Sequence, residues 1–307
     1  MIVSCGEALI DFLPRETAGG APVFDPRPGG SPFNVAIAIG RLDASAGFLG
    51  GLSTDMFGDT LRGALAASRV DTSLAPTSDR PTTLAFVSVV NGNARYAFYD
   101  EGSAGRMLTG ADLPALPASV AALHFGSFSL AAEPCGSTFE ALMQREHSAR
   151  VISLDVNVRP TLIPDRGAYL ARLERLAAMA DIVKLSEEDL AWLDPTTKFE
   201  SLARRWLAAG AKLVTLTKGA EGAVAISRSH TVTTPGVPVK VADTVGAGDT
   251  FTGATLVRLF QRGLLDKRAI AALSERDVAD ALEFAARAAS VTVSRPGADP
   301  PWARELA

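Results

Sequence analysis

The sequence predicts a three-layer α/β/α protein with a mainly parallel central sheet and a small β-sheet lid. Two observations predict the layers. Short β-branched runs recur, at Val151-Ile152-Ser153-Leu154-Asp155, Asp181-Ile182-Val183-Lys184-Leu185 and Lys212-Leu213-Val214-Thr215-Leu216. Between them, Tyr169 to Met179 and Ser201 to Ala209 carry apolar residues three and four apart. Strands alternating with amphipathic helices read as βαβ units, whose parallel strands are covered by helices on both faces. A third observation predicts the lid. Thr83 to Tyr99 reads as two strands joined at Asn91-Gly92, a dipeptide that tolerates the positive φ of a tight hairpin, with no helix beside it in sequence. Phe12 to Pro28, with Gly19-Gly20 and several prolines, reads as irregular or edge-strand material. Lid segments at approximately 12–28 and 83–105 are therefore expected as insertions in a single domain spanning 1–307.

Composition excludes several classes. At 47% hydrophobic, 307 residues can bury roughly three quarters of their unfolded surface, so the chain is globular. Thirty basic against 34 acidic side chains give no sequence-wide footprint for nucleic acid or anionic lipid. Cys5 and Cys135 form no C-x-x-C pair, and His124, His147 and His230 are scattered, so neither a disulfide framework nor a zinc site is expected. No uncharged apolar run is long enough to span a bilayer, and Glu7 interrupts the start too early for a secretory signal. A cytoplasmic protein with a small-molecule substrate, and without nucleic-acid or membrane partners, is expected.

The chemistry concentrates in Asp243-Thr244-Val245-Gly246-Ala247-Gly248-Asp249-Thr250, which leads into a helical pattern at Ala254 to Arg262. Gly246 and Gly248 let the backbone turn tightly against a ligand. The helix start then presents the N–H groups of Ala247, Gly248 and Asp249 at the positive end of its dipole, an anion hole suited to a transferring phosphoryl group. Asp249 shares that turn and can serve as a base. A helix start makes a carboxylate weakly basic, but a loose phosphoryl-transfer transition state asks it mainly to orient a hydroxyl and take its proton late. The alternative, a carboxylate that only caps a helix, is less well matched to two flanking glycines. There is no Gly-Lys dipeptide, so no G-x-x-x-x-G-K-[ST] loop, and Phe251 stands where G-x-G-x-x-G needs its third glycine.

These residues resemble the ribokinase-like sugar kinases, also called PfkB carbohydrate kinases. Asp243 to Ala254 resembles the family's C-terminal signature, and Gly29-Gly30-Ser31-Pro32-Phe33-Asn34-Val35-Ala36 its N-terminal one. The resemblance runs from Ile2 to Pro296 and implies a ribokinase-like fold that uses ATP and Mg²⁺, with K⁺ as a frequent addition. It implies Asp249 as catalytic base, with Gly246, Ala247 and Gly248 as the anion hole. Asp11, Gly29, Gly30 and Asn34 match sugar-binding positions, although Asp11 could be a turn residue and Asn34 a cap. Asn157 and Arg159, after a strand end, match residues that contact phosphate or sugar, and Arg159 could instead be a surface ion-pair partner. Lys184-Leu185-Ser186-Glu187-Glu188-Asp189 resembles the N-x-x-E segment, with Ser186 and Asp189 replacing Asn and Glu. Asp189 is thus a candidate Mg²⁺ residue or simply part of an acidic, capped first turn. Thr217, Gly219 and Gly222 match the T-x-G-x-x-G nucleotide loop, and Asp243 a monovalent-cation position.

Within the family the likeness is to bacterial fructokinases, through Gly6-Glu7-Ala8-Leu9-Ile10-Asp11, Tyr96 to Ala104 and Asp155 to Pro160. Ketodeoxygluconate kinases usually carry an arginine after the lid aromatics to hold a carboxylate. Asp100 stands there, so a neutral ketose is expected; Tyr96, Phe98 and Tyr99 alternate along a lid strand, so that one face can cover the sugar or else fill the lid's own core or a dimer contact. The resemblance therefore implies phosphorylation of a primary hydroxyl, fructose to fructose 6-phosphate. Ketodeoxygluconate, ribose or a nucleoside remains the alternative substrate, and a sensor without catalysis the alternative class. The exposed lid edge suggests a homodimer through the lid.

Overall fold

A computed structural model describes residues 1–90 and 93–306, the side chains of 89, 90 and 93–95 excepted. Its main sheet has nine strands in the order Thr231–Thr234, Ala223–Ser227, Leu213–Thr217, Ile182–Ser186, Val151–Asp155, Ala122–Gly126, Ile2–Cys5, Ala46–Leu49, Val70–Asp71. The last six neighbour pairs in that order are parallel and the first two antiparallel. The β-branched runs of the sequence are thus strands of this sheet.

Helices cover both faces because alternate strand residues feed two separate cores. Leu123, Phe125, Ile152, Leu154, Val183 and Leu185 pack on one face with Phe139 and Leu142 of helix Cys135–Glu146, Leu173 of helix Arg166–Met179 and Trp206 of helix Phe199–Ala209. Ile2, Phe48, Ala122, Val151 and Ile182 pack on the other with residues of helices Ser31–Arg41, Ala247–Gln261 and Glu275–Val293. Burial on both sides makes each parallel strand a nearly continuous apolar run.

The chain enters at Ile2–Cys5, builds outward through Ala46–Leu49 and Val70–Asp71, then crosses back to Ala122–Gly126 and builds the other way. Strand order therefore reverses between Ile2–Cys5 and Ala122–Gly126. In an open α/β sheet the ligand crevice lies at such a reversal, beyond the carboxyl ends of the strands.

The lid is a separate four-stranded sheet in the order Pro22–Gly29, Leu9–Glu16, Thr83–Val90, Asn93–Tyr99. The stretch read from sequence as irregular or edge-strand material contains an edge strand, in a regular antiparallel hairpin with Leu9 opposite Gly29 and Glu16 opposite Pro22. Its prolines fit because Pro22, Pro26 and Pro28 all occupy even positions of an edge strand, where the missing N–H would point away from the neighbour. The turn expected at Asn91-Gly92 lies outside the described residues. Phe12, Phe24, Phe86 and Tyr99 form an aromatic row on the lid's outer face, with Phe12 and Phe86 stacked at 4.6 Å. Tyr99 thus points away from Tyr96 and Phe98, which stack on each other at 5.9 Å. Of the two faces expected from this alternation, Tyr96 and Phe98 share the one on the cleft and Tyr99 lies on the other, since strand residues of odd separation face opposite sides.

Trp206 is fully buried and donates its Nε1–H to Glu174 Oε2 at 3.1 Å. Trp206→Ala is expected to cost about 3–5 kcal/mol, from cavity creation together with the lost hydrogen bond. Urea denaturation against the parent protein measures it.

Candidate active site

A cleft of about 1050 Å³ opens at the strand reversal, between the carboxyl ends of the main sheet and the inner face of the lid. Asp249 lies on it in the first turn of helix Ala247–Gln261, with 8% of its surface exposed. Its Oδ1 accepts from Ser31 Oγ at 2.6 Å and its Oδ2 from Asn34 Nδ2 at 2.9 Å. Ser31 and Asn34 belong to helix Ser31–Arg41, so the starts of two helices meet across one carboxylate. Asn157 Nδ2 donates to Ser31 Oγ at 2.8 Å, and Arg159 Nη1 donates to Asn157 Oδ1 at 2.6 Å, which carries the chain of contacts on to a cation that also lines the cleft.

The anion hole is narrower than the sequence suggests. Ala247 N–H donates to Thr244 O at 3.3 Å, whereas the N–H groups of Gly248 and Asp249 find no acceptor among the described residues. Gly246 precedes them in the left-handed region at φ 75°. Lys184 completes the corner. A Cβ added to Gly248 would lie 3.0 Å from Lys184 Nζ, so the missing side chain is what lets the ammonium approach this turn. Asp155, with 0% of its surface exposed, holds that ammonium through Oδ2 at 3.0 Å and Oδ1 at 3.2 Å. Burial lowers the pKa of Lys184, but the carboxylates of Asp155, Asp189 and Asp249 outweigh it and keep that pKa above the ordinary lysine value. A cation thus persists beside two free amides.

At the lid end, Asp11 lines the cleft with Gly30, Tyr96 and Phe98. Burial pushes the Asp11 pKa up to about 6, against the pull of Arg159. Gly30 adopts φ 105° at the helix N-cap, and a Cβ there would sit 2.7 Å from Glu7 O, so both conformation and space require glycine. Gly29 does not line the cleft. It backs Asp11, since a Cβ at 29 would meet Asp11 Oδ2 at 2.3 Å, and its part in a sugar site would be to make room for that carboxylate. Thr217, Gly219 and Gly222 also line the cleft, as do Val237, Val239 and Val241 and Ala286 and Ala289 of helix Glu275–Val293.

Three acidic positions read from the sequence have definite partners, and one of them, Asp100, changes role. Asp189 reaches the cleft, but its Oδ1 accepts from Val158 N at 2.7 Å and its Oδ2 from Ser186 N at 2.8 Å and Ser186 Oγ at 2.9 Å. It caps a turn and ties two loops together, which is the capped acidic first turn expected as the alternative to an Mg²⁺ residue. No group of three or more His, Cys, Asp or Glu side chains suited to a metal ion occurs among the described residues. Asp243 stands behind the cleft wall, accepting from Val245 N at 3.1 Å and Gly297 N at 2.8 Å. Asp100 does not face the cleft: it accepts from Thr83 Oγ1 at 2.7 Å and Ser103 Oγ at 3.0 Å and pairs with Arg106 at 3.5 Å. It staples the end of the lid strand, so the argument that it repels an acid sugar does not hold.

Sequence reading missed Ser31, Asp155 and the apolar wall at 237–241. Ser31 follows Gly29-Gly30 at a helix start, a position where a hydroxyl faces whatever the turn faces. Asp155 ends a fully buried strand, and a carboxylate there needs a cation, which was the available signal.

A carboxylate oriented by two neutral donors beside a lysine and unbonded amides suits proton removal from a hydroxyl while an anion is neutralised. That is the chemistry of a kinase acting on an alcohol, set here at the crevice of an α/β sheet. Residues 1–304 match the family model described as pfkB family carbohydrate kinase, and the chain belongs to that family. A fructokinase of Rhizobium leguminosarum bv. trifolii is 52% identical over 276 residues, covering 90% of this chain and 85% of the relative. The crystal structure of fructokinase with bound ATP from Xylella fastidiosa superposes with a TM-score of 0.91 at 29% identity, covering 99% of this chain and 97% of that one. The fructokinase of Vibrio cholerae O395 in its fructose, ADP and calcium ion bound form gives a TM-score of 0.83 at 27% identity, covering 97% and 94%.

Lys184→Met leaves Asp155 buried without its cation. The variant is expected to lose about 3 kcal/mol or more. An unpaired buried carboxylate has a folded-state pKa raised above its unfolded value, so the variant's stability is retained at low pH and lost as pH rises. Denaturant titration at pH 5 and pH 8 checks this, with the larger deficit expected at pH 8.

Proposed function

We propose that the chain transfers the γ-phosphoryl group of ATP to the primary hydroxyl of fructose, forming fructose 6-phosphate and ADP. The observation that carries this reading is the Asp249 carboxylate, held by Ser31 and Asn34 on the wall of one cleft with Lys184 and the Gly248 and Asp249 amides. The kinship with fructokinases supplies the sugar.

In this reading fructose lies under Tyr96 and Phe98, with Asp11 and Arg159 addressing its hydroxyls, and the lid excludes water that would otherwise take the phosphoryl group. The primary hydroxyl points at Asp249. As its oxygen bonds to the γ-phosphorus, the bond from that phosphorus to the bridging oxygen breaks and the electron pair leaves with ADP. The hydroxyl proton passes to Asp249. Charge spreading over the γ-oxygens meets the Lys184 ammonium and the Gly248 and Asp249 N–H groups, which are in place before reaction and need no rearrangement.

The nucleotide lies along Thr217, Gly219 and Gly222. Its base fits between the valines of 237–241 and the alanines of helix Glu275–Val293, with Asn157 near the phosphates. Mg²⁺ is proposed to arrive with ATP, since among the described residues no group of three or more His, Cys, Asp or Glu side chains could hold it and this ion is commonly held through substrate phosphates and water. When bound it would supply positive charge to neutralise the phosphates, beside the Lys184 ammonium. A monovalent cation is proposed beside Asp243, whose oxygens keep lone pairs beyond the two amides they accept. A homodimer through the lid is supported by the outer aromatic row, where Phe24 and Tyr99 are 51% and 65% exposed. Residence in the cytoplasm is part of the proposal, and among the described residues no helix is long and apolar enough to cross a membrane.

Assays with a sugar panel including fructose, ribose and 2-keto-3-deoxygluconate test the substrate; fructose is expected to give the highest kcat/KM. Asp249→Asn should lower kcat by about 10²–10⁴-fold with KM for fructose nearly unchanged, because a proton acceptor is lost while the donors that position it remain. Asp11 provides a pH test. Its ionised form is the acceptor for sugar hydroxyls, so KM for fructose should rise as pH falls through about 6. In Asp11→Asn, KM should be high and flat over the same range.

A further inference from the structure

Glu7 is a buried carboxylate that the chemistry above leaves without a task. It follows strand Ile2–Cys5 and has 4% of its surface exposed, at the edge of the cleft. Its Oε1 accepts from the Ser31 N–H at 3.3 Å and its Oε2 from the Ser129 N–H at 3.4 Å. Ser31 opens helix Ser31–Arg41, whose N-cap residue, Gly30, has no side chain to satisfy the first amides. Glu7 supplies from a distant segment the oxygen that a capping serine or aspartate would ordinarily provide. The two segments are also locked by their backbones: a Cβ on Gly30 would lie 2.7 Å from Glu7 O, and one on Gly6 2.4 Å from Pro32 Cγ.

We infer that Glu7 is a positioning residue. Its carboxylate, anchored on the Ser129 amide, holds the first N–H of helix Ser31–Arg41 and so fixes Ser31 Oγ and Asn34 Nδ2 on the Asp249 carboxylate. The catalytic consequence rests on the kinase reading above; the geometric one does not.

Electrostatics give this device a pH range. Burial pushes the Glu7 pKa up to about 7, against hydrogen bonds from its own backbone amide, Ser129 and Ser127 and the charge of Arg159. The charged or titratable groups around it are Arg159 beyond strand Val151–Asp155, Asp11 on the lid, Asp249 on helix Ala247–Gln261 and Cys135 on helix Cys135–Glu146. Only ionised Glu7 accepts fully from both amides, so the positioning is complete above about pH 7 and weakens below it. The stability linkage runs the other way. A carboxyl whose folded pKa lies above its unfolded one favours the fold when protonated, and that contribution is lost as pH rises through about 7. Glu7 therefore aids catalysis in the form that costs stability.

Glu7→Gln, and Glu7→Met as a variant of similar length without an acceptor, test this. At pH 8, kcat for fructose is expected to fall about tenfold in Glu7→Gln and about a hundredfold in Glu7→Met, with KM for fructose and ATP within about threefold of the parent. The parent's kcat should decline as pH is lowered through about 7, and Glu7→Gln should lack that limb. Glu7→Gln should unfold at no lower denaturant concentration than the parent at pH 8, and a crystal structure of Glu7→Met should have Ser31 Oγ out of hydrogen-bond distance of Asp249. Parental kcat in Glu7→Met, or a rate loss matched by a stability loss with the acid limb retained, overturns the inference. So does a Ser31–Asp249 bond that survives in the Glu7→Met structure. If the parent protein phosphorylates no sugar, the kinase reading falls and that structure alone decides the role of Glu7.

Discussion

The site depends on a hydrogen bond between residues 218 positions apart, from Ser31 Oγ to Asp249 Oδ1. Each partner stands in the first turn of a helix, and both helices pack on the same face of the sheet. Two helix starts place their positive dipole ends at one point, so the carboxylate between them is both stabilised and oriented. The close approach of these helices is set by small residues: a Cβ on Gly253 would lie 2.9 Å from Ala38 Cβ. Packing one helical turn behind the site therefore fixes where Asp249 stands.

Six carboxylates line the cleft, and four of them, Glu7, Asp11, Asp249 and Asp189, are buried or half-buried, with Asp155 beneath. Such a set is tolerable only because each has a distinct compensation. Asp155 has the Lys184 ammonium, Asp189 a capping turn, Asp249 two neutral donors and Glu7 two amides. Asp11 has only the more distant Arg159, and its raised pKa reflects that. Lys184 is held by Asp155 beside the helix turn that carries Asp249, whereas Arg159 acts on Glu7 and Asp11.

The lid answers a different problem. A four-stranded sheet with two faces must bury at least one of them, and here the inner face closes over the cleft while the outer carries an aromatic row. Its outer strand is protected by prolines at even positions, which remove N–H donors from the edge without disturbing the paired side. Period-2 alternation sorts the aromatic residues, sending Tyr96 and Phe98 inward and Tyr99 outward.

By itself the sequence determined the layers, the parallel strands and the identity of the reactive turn, because hydrophobic period and glycine spacing are local properties. The two family-like segments, Gly29 to Ala36 and Asp243 to Ala254, were legible for the same reason. Only the tertiary structure decided which partners those residues meet. Ser31 became a contact of Asp249 and Asp155 the anchor of Lys184, whereas Asp100 turned into a staple and Asp189 into a cap. A side chain's task depends on the charges and donors that folding brings within about 3 Å of it, and those come from segments whose distance along the chain carries no trace of their distance in space.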